Sequence, residues 1–379
     1  MGCVRPINLD RELFDGLAAT TGDTLISIYL PTQVKGGDAV DQNRIRMKNG
    51  IAHAETLLES AGWKPREREE RFEGARRLLE DHEFWRYQKP ALAVFIDDES
   101  ETTAVALAAG GGERTVIADV FHLRPMIPSL EPVELMVLAL TMNGVGLYRA
   151  SLYDVHRVEA DLPGSMDDVN WFVDREKQRQ QHPDRAGSKG SRHGHDPAAS
   201  RHEDLARFLR AVDDAIPDAK THEPLVVLGD DNLVARFGQV SERLIVSASN
   251  GRVADANDID TVHTHAEEFI RDRMASLHQE RVQLGLQQMG TGEAITEIGE
   301  GLKAATSGRI SQVLFSEEAA PIWGRFDQST LEVAIHEKQE LRDVDLLDRL
   351  AVHAMATGAQ VTTVATAIEG HDFAAILRF

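Results

Sequence analysis

A basic segment rich in histidine, near the middle of the chain, has the residue types best suited to binding phosphate. Between Arg175 and His202 it holds seven lysines and arginines against three acidic residues, so it carries a charge of +4 before its four histidines are counted. Cations of this kind neutralise phosphates and release condensed counterions. The pattern therefore predicts a contact with RNA, made by Arg185, Lys189, Arg192, His193 and His195. The glycines, prolines and serines of the segment are equally typical of a disordered surface loop.

The histidines of this segment also raise the question of a metal site, with His182, His193, His195 and His202 as the candidate ligands. Zinc needs a tetrahedral set of ligands, and histidines two positions apart in a glycine-rich loop do not promise that geometry. Partial positive charge near neutral pH, with hydrogen bonds to phosphate, explains the histidines as well. We therefore expect no metal and no cofactor.

Nuclease chemistry has weak support in the sequence. Two-metal catalysis needs several carboxylates that converge on a sheet, whereas the predicted strand over residues 134–141 offers only Glu134 at its edge. Asp230 and Asp231 follow another strand, where helix capping explains them.

Nucleophilic chemistry has no better support. The pairs Gly187-Ser188 and Gly190-Ser191 do not form a Gly-x-Ser-x-Gly elbow. The run Gly110-Gly-Gly112 lacks the lysine and hydroxyl residue of a phosphate loop, so it predicts a hairpin turn. We therefore expect a binding protein rather than an enzyme.

The composition restricts where and how such a protein acts. The formal charge is −21, so the chain outside the basic segment carries −25 and disfavours a general coat on nucleic acid. No apolar run is long enough to span a membrane, and the single cysteine excludes an internal disulfide. These features predict a soluble cytoplasmic protein without membrane contact. We expect a monomer, because no coiled-coil pattern or self-pairing strand edge is evident.

Three blocks of strands and helices must position these residues, which predicts an α/β protein of three domains. The predicted domains cover residues 1–130, 133–258 and 261–379, and the basic segment 175–202 interrupts the middle one. The first block has strands over 24–31, 92–96 and 102–107, with helices between them. The middle block starts with a hairpin around Asn143-Gly144 and continues β-α-β-α-β, the order of an RNase H-like sheet. The third block starts with a long helix over 262–288.

The third block is a compact α/β unit. Five apolar residues of its long helix are predicted to face inward: Phe269, Ile270, Met274, Leu277 and Leu284. A glycine-containing break at 289–292 should precede a second helix that includes Ala294 and ends at Gly308. Asp343 is predicted to cap a later helix that ends at Gly358.

Short sequence pieces along nearly the whole chain resemble the bacterial branch of the archaeal–eukaryotic peptide-chain release factor superfamily, which includes the rescue factor Pelota. Their order and spacing carry the resemblance, since no single piece is specific. The pieces are Ile26-Ser-Ile-Tyr-Leu-Pro-Thr32, Arg46-Met-Lys-Asn49, Phe84-Trp-Arg-Tyr-Gln88, Leu92-Ala-Val-Phe95, Phe121-His-Leu-Arg-Pro125, Trp323-Gly-Arg-Phe-Asp327 and Ala375-Ile-Leu-Arg-Phe379.

The resemblance implies a role for each domain. The first domain would reach the decoding centre, so Arg44, Arg46 and Lys48 would contact small-subunit rRNA. The RNase H-like middle domain would carry its loop toward the peptidyl-transferase centre and tRNA. The third domain, an L7Ae-like α/β fold, would dock on the ribosome or on a translational GTPase.

The basic segment departs from the catalytic pattern of this superfamily. A hydrolytic release factor presents Gly-Gly-Gln at the loop tip, whereas here the tip reads Gly187-Ser-Lys-Gly190-Ser-Arg-His-Gly194-His195. We therefore expect a ribosome-binding protein of the Pelota-like, non-hydrolytic kind, in ribosome rescue or in hibernation as part of a stress response. One alternative is a peptidyl-tRNA hydrolase that uses Gln178, Gln180 or Gln181. Another is a non-ribosomal stress protein that retains the fold.

Overall fold

The computed structural model describes residues 5–34, 36–86, 88–108, 112–130, 133–165, 197–217, 224–247, 253–291, 294–340 and 342–378. The chain divides into two compact units. The first contains residues 1–131 and 276–379, and the second contains residues 132–275. No helix within the described ranges is long and apolar enough to cross a membrane.

The N-terminal part of the first unit is a five-stranded sheet with helices on its faces. The strands are β1 (Ile7–Asn8), β2 (Thr21–Pro31), β3 (Ala91–Ile96), β4 (Thr102–Leu107) and β5 (Arg114–Val120). Their order is β1-β4-β3-β2-β5, and only the β1–β4 pair is parallel. The helices are α1 (Arg11–Ala19), α2 (Ala39–Ser60), α3 (Pro65–Arg71), α4 (Glu73–Glu80) and α5 (His82–Arg86).

This sheet is buried on both faces, which explains why its strands are apolar almost throughout. Alternate residues such as Ile26 and Ile28 point into one core, where they meet α2 side chains including Met47 and Ile51. The other alternate residues, among them Tyr29, belong to a second core. The strand predicted over residues 24–31 is thus confirmed as part of β2, with buried residues on both faces.

The second core joins the two ends of the chain. It includes Leu25 and Phe95 from the N-terminal sheet together with Leu302, Phe315 and Leu350 from the C-terminal part. All five side chains are almost fully buried. Burial of a large apolar side chain contributes about 1.5–3 kcal/mol, so these two parts of the first unit depend on each other for stability.

The C-terminal part of the first unit contains a four-stranded sheet and a smaller three-stranded one. The larger has the order β11-β17-β12-β16, and the smaller has the order β14-β13-β15. The strands are β11 (Ala294–Ile295), β12 (Ile310–Ser316), β13 (Trp323–Asp327), β14 (Glu332–Ile335), β15 (Val344–Asp345), β16 (Gln360–Val364) and β17 (Phe373–Leu377). Two helices, α9 (Ile298–Thr306) and α10 (Leu346–Ala356), complete it. Gly308 and Gly358 end them at φ values of +69° and +80°, as predicted.

The second unit is a five-stranded sheet in the order β10-β9-β6-β7-β8. The first three strands in sequence form an antiparallel meander, and β9 then pairs parallel to β6. The elements are β6 (Leu135–Thr141), β7 (Gly144–Ala150), β8 (Val155–Arg157), α6 (Pro197–Ala215), β9 (Leu225–Gly229), α7 (Asp231–Val240) and β10 (Ile245–Val246). This is the RNase H-like succession that the sequence predicts, and the α/β fold class is confirmed. The domain boundaries stay predictions.

The long helix α8 (Ile259–Thr291) departs from the prediction in two ways. It continues to Thr291, because a glycine within a helix costs only about 1 kcal/mol and does not have to break it. Of the residues predicted to face inward, Ile270 is fully buried, whereas Leu284 is 49% exposed. Gly285 is the buried residue at that turn, and a side chain there would come within 2.9 Å of Leu314. The absent side chain permits the close approach.

Three further predictions of local structure are wrong. Ala294 lies in strand β11 rather than in a helix, because it pairs with Ile376. Asp343 does not cap α10. Asp345, two residues later, is the cap, and its side chain accepts a hydrogen bond from the Leu347 amide at 3.1 Å. Finally, β4 and β5 do not pair with each other as the hairpin predicted at the glycine run requires, since they lie on opposite sides of the β3–β2 pair; residues 109–111 themselves lie outside the described residues.

Candidate functional site

The predicted RNA-binding segment of the second unit lies mostly outside the described residues. This holds for Arg185, Lys189, Arg192, His193 and His195, and also for the alternative catalytic residues Gln178, Gln180 and Gln181. The structure does describe the elements on either side. Strand β8, which ends at Arg157, is an edge strand of the sheet, and α6 begins at Pro197. Residues 197–202, predicted as the end of the loop, belong to this helix instead.

His202 is the one residue of the candidate metal set that the structure describes. It lies on α6, and its Nδ1 accepts a hydrogen bond from the Arg236 guanidinium at 2.8 Å. A neighbouring guanidinium repels a metal cation. His202 is consequently held by a contact within the fold, between α6 and α7.

Arg44, the first predicted RNA contact of the N-terminal part, has a structural role. Its Nε donates a hydrogen bond to the carbonyl oxygen of Leu79 at 2.8 Å, in the last turn of α4. Asp41, three residues earlier on α2, lies 3.9 Å from its guanidinium. A cation at a helix C-terminus satisfies carbonyl groups that lack a helical partner. Arg44 thus joins α2 to α4.

Of the other two predicted contacts, Arg46 forms contacts within the fold, as Arg44 does, whereas Lys48 is exposed to solvent. Arg46 donates to the Pro31 carbonyl at 3.2 Å, and its Nε lies 3.5 Å from a Glu113 carboxylate oxygen. Lys48 is exposed. Arg46, two residues from each of the others, points to a different side of α2, whereas Arg44 and Lys48, four residues apart, lie on the same side. Lys48 is the member of this set whose charge is most available to a partner.

The second unit places no carboxylate on its sheet strands. Strands β6 to β10, within the bounds that the structure gives them, contain no Asp or Glu. Glu134, at the edge, lies 3.5 Å from the Arg149 guanidinium. Asp230 accepts a hydrogen bond from the Asn232 amide at 3.0 Å, which confirms its predicted role as the cap of α7. Two-metal hydrolysis would need several carboxylates to converge here.

A buried polar cluster around residues 122–124 was missed by the sequence analysis. Asp348, on α10, accepts hydrogen bonds from the backbone amides of Leu123 and Arg124 at 2.7 and 2.5 Å. These amides begin a 3₁₀ helix (Arg124–Ser129), so a carboxylate from the C-terminal part caps a helix of the N-terminal part. The Arg124 guanidinium lies 3.2 Å from Asp345. Leu123 and Asp348 lie 225 positions apart in the sequence, and only the fold brings them together.

His122 sits at the centre of this cluster and is neutral at physiological pH. Burial lowers its pKa to about 3, and the positive charges of Arg114 and Arg124 act in the same direction, against Asp345. Its Nε2 is 3.2 Å from the Arg114 guanidinium, which can only donate, so the ring proton is on Nδ1. That nitrogen lies 3.3 Å from Asp348 without forming a hydrogen bond. Burial also raises the pKa of Asp348.

The cluster holds the fold together and has no open face. His122, Asp345 and Asp348 are each at most 3% exposed. A second histidine on α10, His353, has its pKa lowered to about 4 by burial and by the neighbouring Arg349. Groups this deeply buried are inaccessible to a large ligand, so the cluster acts in positioning the two ends of the chain.

Among known protein families, one matches most of the second unit and the residues that directly follow it. Residues 135–309 match the family described as bacterial archaeo-eukaryotic release factor family 3. No curated protein matches the chain.

Solved structures of related factors resemble the chain at low identity. An archaeal translation termination factor is 12% identical over 98% of this chain and 99% of its own, with a TM-score of 0.25. Ribosome-bound archaeal Pelota is 12% identical over 99% and 95%, with a TM-score of 0.35. Pelota of Archaeoglobus fulgidus is 15% identical over 74% and 75%, with a TM-score of 0.33. These TM-scores are too low to support a conclusion about this chain. The family match therefore assigns residues 135–309 to the bacterial branch of the archaeal–eukaryotic release factor superfamily.

Proposed function

We propose that this protein binds the ribosome and acts there without hydrolysing peptidyl-tRNA, in ribosome rescue or hibernation. The family match over residues 135–309 is the observation that carries the proposal, because it contains the whole basic segment. The sequence has no Gly-Gly-Gln anywhere, although glycines are present at the predicted loop tip. The motif that supplies hydrolysis in the superfamily is therefore missing from this sequence.

The position of the basic segment supports this function. It follows the third strand of an RNase H-like sheet and ends within the first helix, and the superfamily carries its loop toward the peptidyl-transferase centre from between these two elements. We propose that Arg185, Lys189 and Arg192 contact rRNA or tRNA phosphates and that His193 and His195 add hydrogen bonds. The absence of carboxylates from the described sheet strands offers nuclease chemistry no support.

The charge distribution restricts the attraction to rRNA to a few cationic residues. The chain outside the basic segment carries −25, and an acidic surface is repelled by rRNA. Attraction must therefore come from the few cationic positions, which makes affinity depend steeply on both salt and those side chains. In the N-terminal part we propose Lys48 as the main cation that contacts small-subunit rRNA. Arg44 and Arg46 contribute less to this contact, because their guanidinium groups also donate hydrogen bonds within the fold.

The acidic C-terminal part suits a protein partner better than RNA. Over residues 294–378 it has thirteen acidic residues and seven basic ones. In the superfamily this part docks on the ribosome or on a translational GTPase. We propose such a GTPase as the second partner.

The test is co-sedimentation of the purified protein with vacant and with stalled 70S ribosomes over a range of salt. We expect binding at low salt that weakens as salt rises. In the variant R185Q/K189Q/R192Q the slope of log affinity against log salt should fall by about 2–3, because each lost phosphate contact changes it by roughly 0.7–0.9. Preference for vacant particles indicates hibernation, and preference for stalled particles indicates rescue.

The matched control is R66Q/R77Q/R86Q, which removes the same charge from exposed helix positions. Each of these arginines has an acidic neighbour three or four residues away, so their loss should leave the fold intact. Equal binding by the two triple variants would disprove the role of the basic segment. Failure of the wild type to sediment with any ribosome would disprove the ribosomal function. Release of peptide from stalled complexes would favour a divergent hydrolase instead.

A further inference from the structure

We propose that His336, Glu340 and Asp343 bind a divalent transition-metal ion, with zinc as the best match. The three residues lie on the link between β14 and β15, in the C-terminal part of the first unit. Each offers one ligand atom, and these atoms all lie within 4.8 Å of one another. This inference is independent of the proposed function, since it concerns a different part of the chain.

The distances within the set bracket those around a zinc ion. Zinc binds imidazole nitrogen and carboxylate oxygen at about 2.0–2.2 Å, which places two tetrahedral ligands roughly 3.3 Å apart. The His336 Nδ1 lies 2.7 Å from an Asp343 oxygen and 3.8 Å from a Glu340 oxygen. Shifts of about half an ångström per pair, on the flexible Glu340 side chain above all, bring both to the required spacing.

The donor atoms also select the kind of ion. One imidazole and two carboxylates form a mixed nitrogen and oxygen set, which suits zinc better than calcium or magnesium. Three protein ligands leave a coordination position for water. This set differs from the four histidines of the basic segment, and its signal in the sequence is the spacing His336-x-x-x-Glu340-x-x-Asp343.

Asp343 gives the independent indication of a ligand. Its side chain is completely buried, at 0% exposure, yet its Oδ1 has no hydrogen-bond partner. Its Oδ2 accepts from His336 and from the Glu340 amide. The nearest cation to Oδ1 is the Arg325 guanidinium, whose Nε is 3.5 Å away and whose side chain is 56% exposed. Oδ1 of this buried carboxylate is therefore compensated by an ion pair with a half-exposed guanidinium and by no hydrogen bond, and a dication would stabilise it further.

Access to the site is provided by the other two ligands. Glu340 is 61% exposed and His336 is 25% exposed, so an ion can enter from solvent while Asp343 fixes the inner end. A proton and a metal ion compete for the same Nδ1, so metal affinity should fall as the pH is lowered. Binding would tie the two ends of the β14–β15 link together and stabilise the small sheet.

The experiment titrates the full-length protein with Zn²⁺ by calorimetry and with Co²⁺ by visible absorption. His182, His193 and His195 are first replaced by alanine, so that the basic segment cannot contribute. We expect one equivalent to bind, with an intense tetrahedral Co²⁺ spectrum and a raised Tm in the presence of Zn²⁺. The variants H336A and E340Q should each weaken binding by about tenfold or more.

The matched control is H156A, which removes an exposed histidine whose Nε2 is 3.2 Å from a single carboxylate, Asp154. It should bind Zn²⁺ as the parent protein does. D343N removes the buried ligand but risks misfolding. The variant E340Q, at an exposed residue, is therefore the decisive test. The proposal is overturned if the parent binds no Zn²⁺ at micromolar concentrations, or if H336A and E340Q bind as tightly as H156A.

Discussion

Protonation of His122 should destabilise the first unit at mildly acidic pH. The imidazole is buried beside two guanidinium groups, and its pKa is about 3 in the folded protein against an ordinary value of 6.5. Between these values the unfolded chain binds a proton that the folded protein does not. The pKa of His122 is lower in the folded protein than in the unfolded chain. The contribution of neutral His122 to the free energy of unfolding is therefore complete above about pH 6.5 and is lost as the pH drops toward 3.

The size of this effect follows from the two pKa values. Proton linkage for one histidine with these values gives a loss of about 2.5 kcal/mol between pH 7 and about pH 4.5. His353, with a pKa of about 4, adds a similar effect of its own. The contribution of His122 must therefore be isolated by a difference between variants rather than read from the wild type alone.

The variant H122N isolates it. Asparagine retains a donor near the position of Nδ1 but gains no charge in acid. Urea unfolding at both pH values, followed by the fluorescence of buried Trp85, should show a pH-dependent loss that is about 2.5 kcal/mol smaller in H122N than in the wild type. H156N, at an exposed histidine, should keep the wild-type dependence. If H122N and the wild type lose equal stability between the two pH values, His122 is not the buried neutral group described above.

Three further outcomes are expected. Asp348→Ala removes the acceptor of two buried amides and should cost about 2–4 kcal/mol in urea unfolding, where Asp348→Asn should cost less. Gly324→Ala should disrupt the small sheet, because the added Cβ would lie 2.0 Å from the Ala334 carbonyl oxygen. Gly308→Ala, at φ +69° with ordinary van der Waals contacts only, should retain the fold and lower the free energy of unfolding, measured by thermal denaturation, by about 1–2 kcal/mol. Lys48→Gln should weaken ribosome binding without changing the Tm; an unchanged affinity would remove this lysine from the interface.

Local sequence signals predicted most of the elements. The Asn143-Gly144 turn specified the β6–β7 hairpin, and Asp230 was identified as a cap from its place after an apolar strand. Such features depend on residues close together in the chain. The cap of α10 shows the limit of that logic. Asp343 and Asp345 both precede the helix, and only tertiary structure buries the first and assigns the capping role to the second.

The features that were missed all depend on distant pairs. The glycine run at 110–112 has the composition of a hairpin, yet β4 and β5 pair with other strands. Leu284 fits an inward helical period, but the sheet approaches the helix at Gly285 instead. The link between His122 and Asp348 joins residues more than two hundred positions apart. Periodicity and spacing carry no information on such pairings, so this cluster could not be predicted from a single sequence.

The core shared by the N-terminal sheet and the C-terminal part has a consequence for biosynthesis. The strand residues Leu25 and Phe95 leave the exit tunnel early, but Phe315 and Leu350, which cover them, are translated after the entire second unit. The second unit is contiguous in the chain and can fold while elongation continues, because domains generally fold as units. We therefore expect the nascent N-terminal sheet to present an apolar surface until the last segment emerges. During this interval the polypeptide should depend on chaperones that shield such surfaces, and premature termination should yield insoluble product.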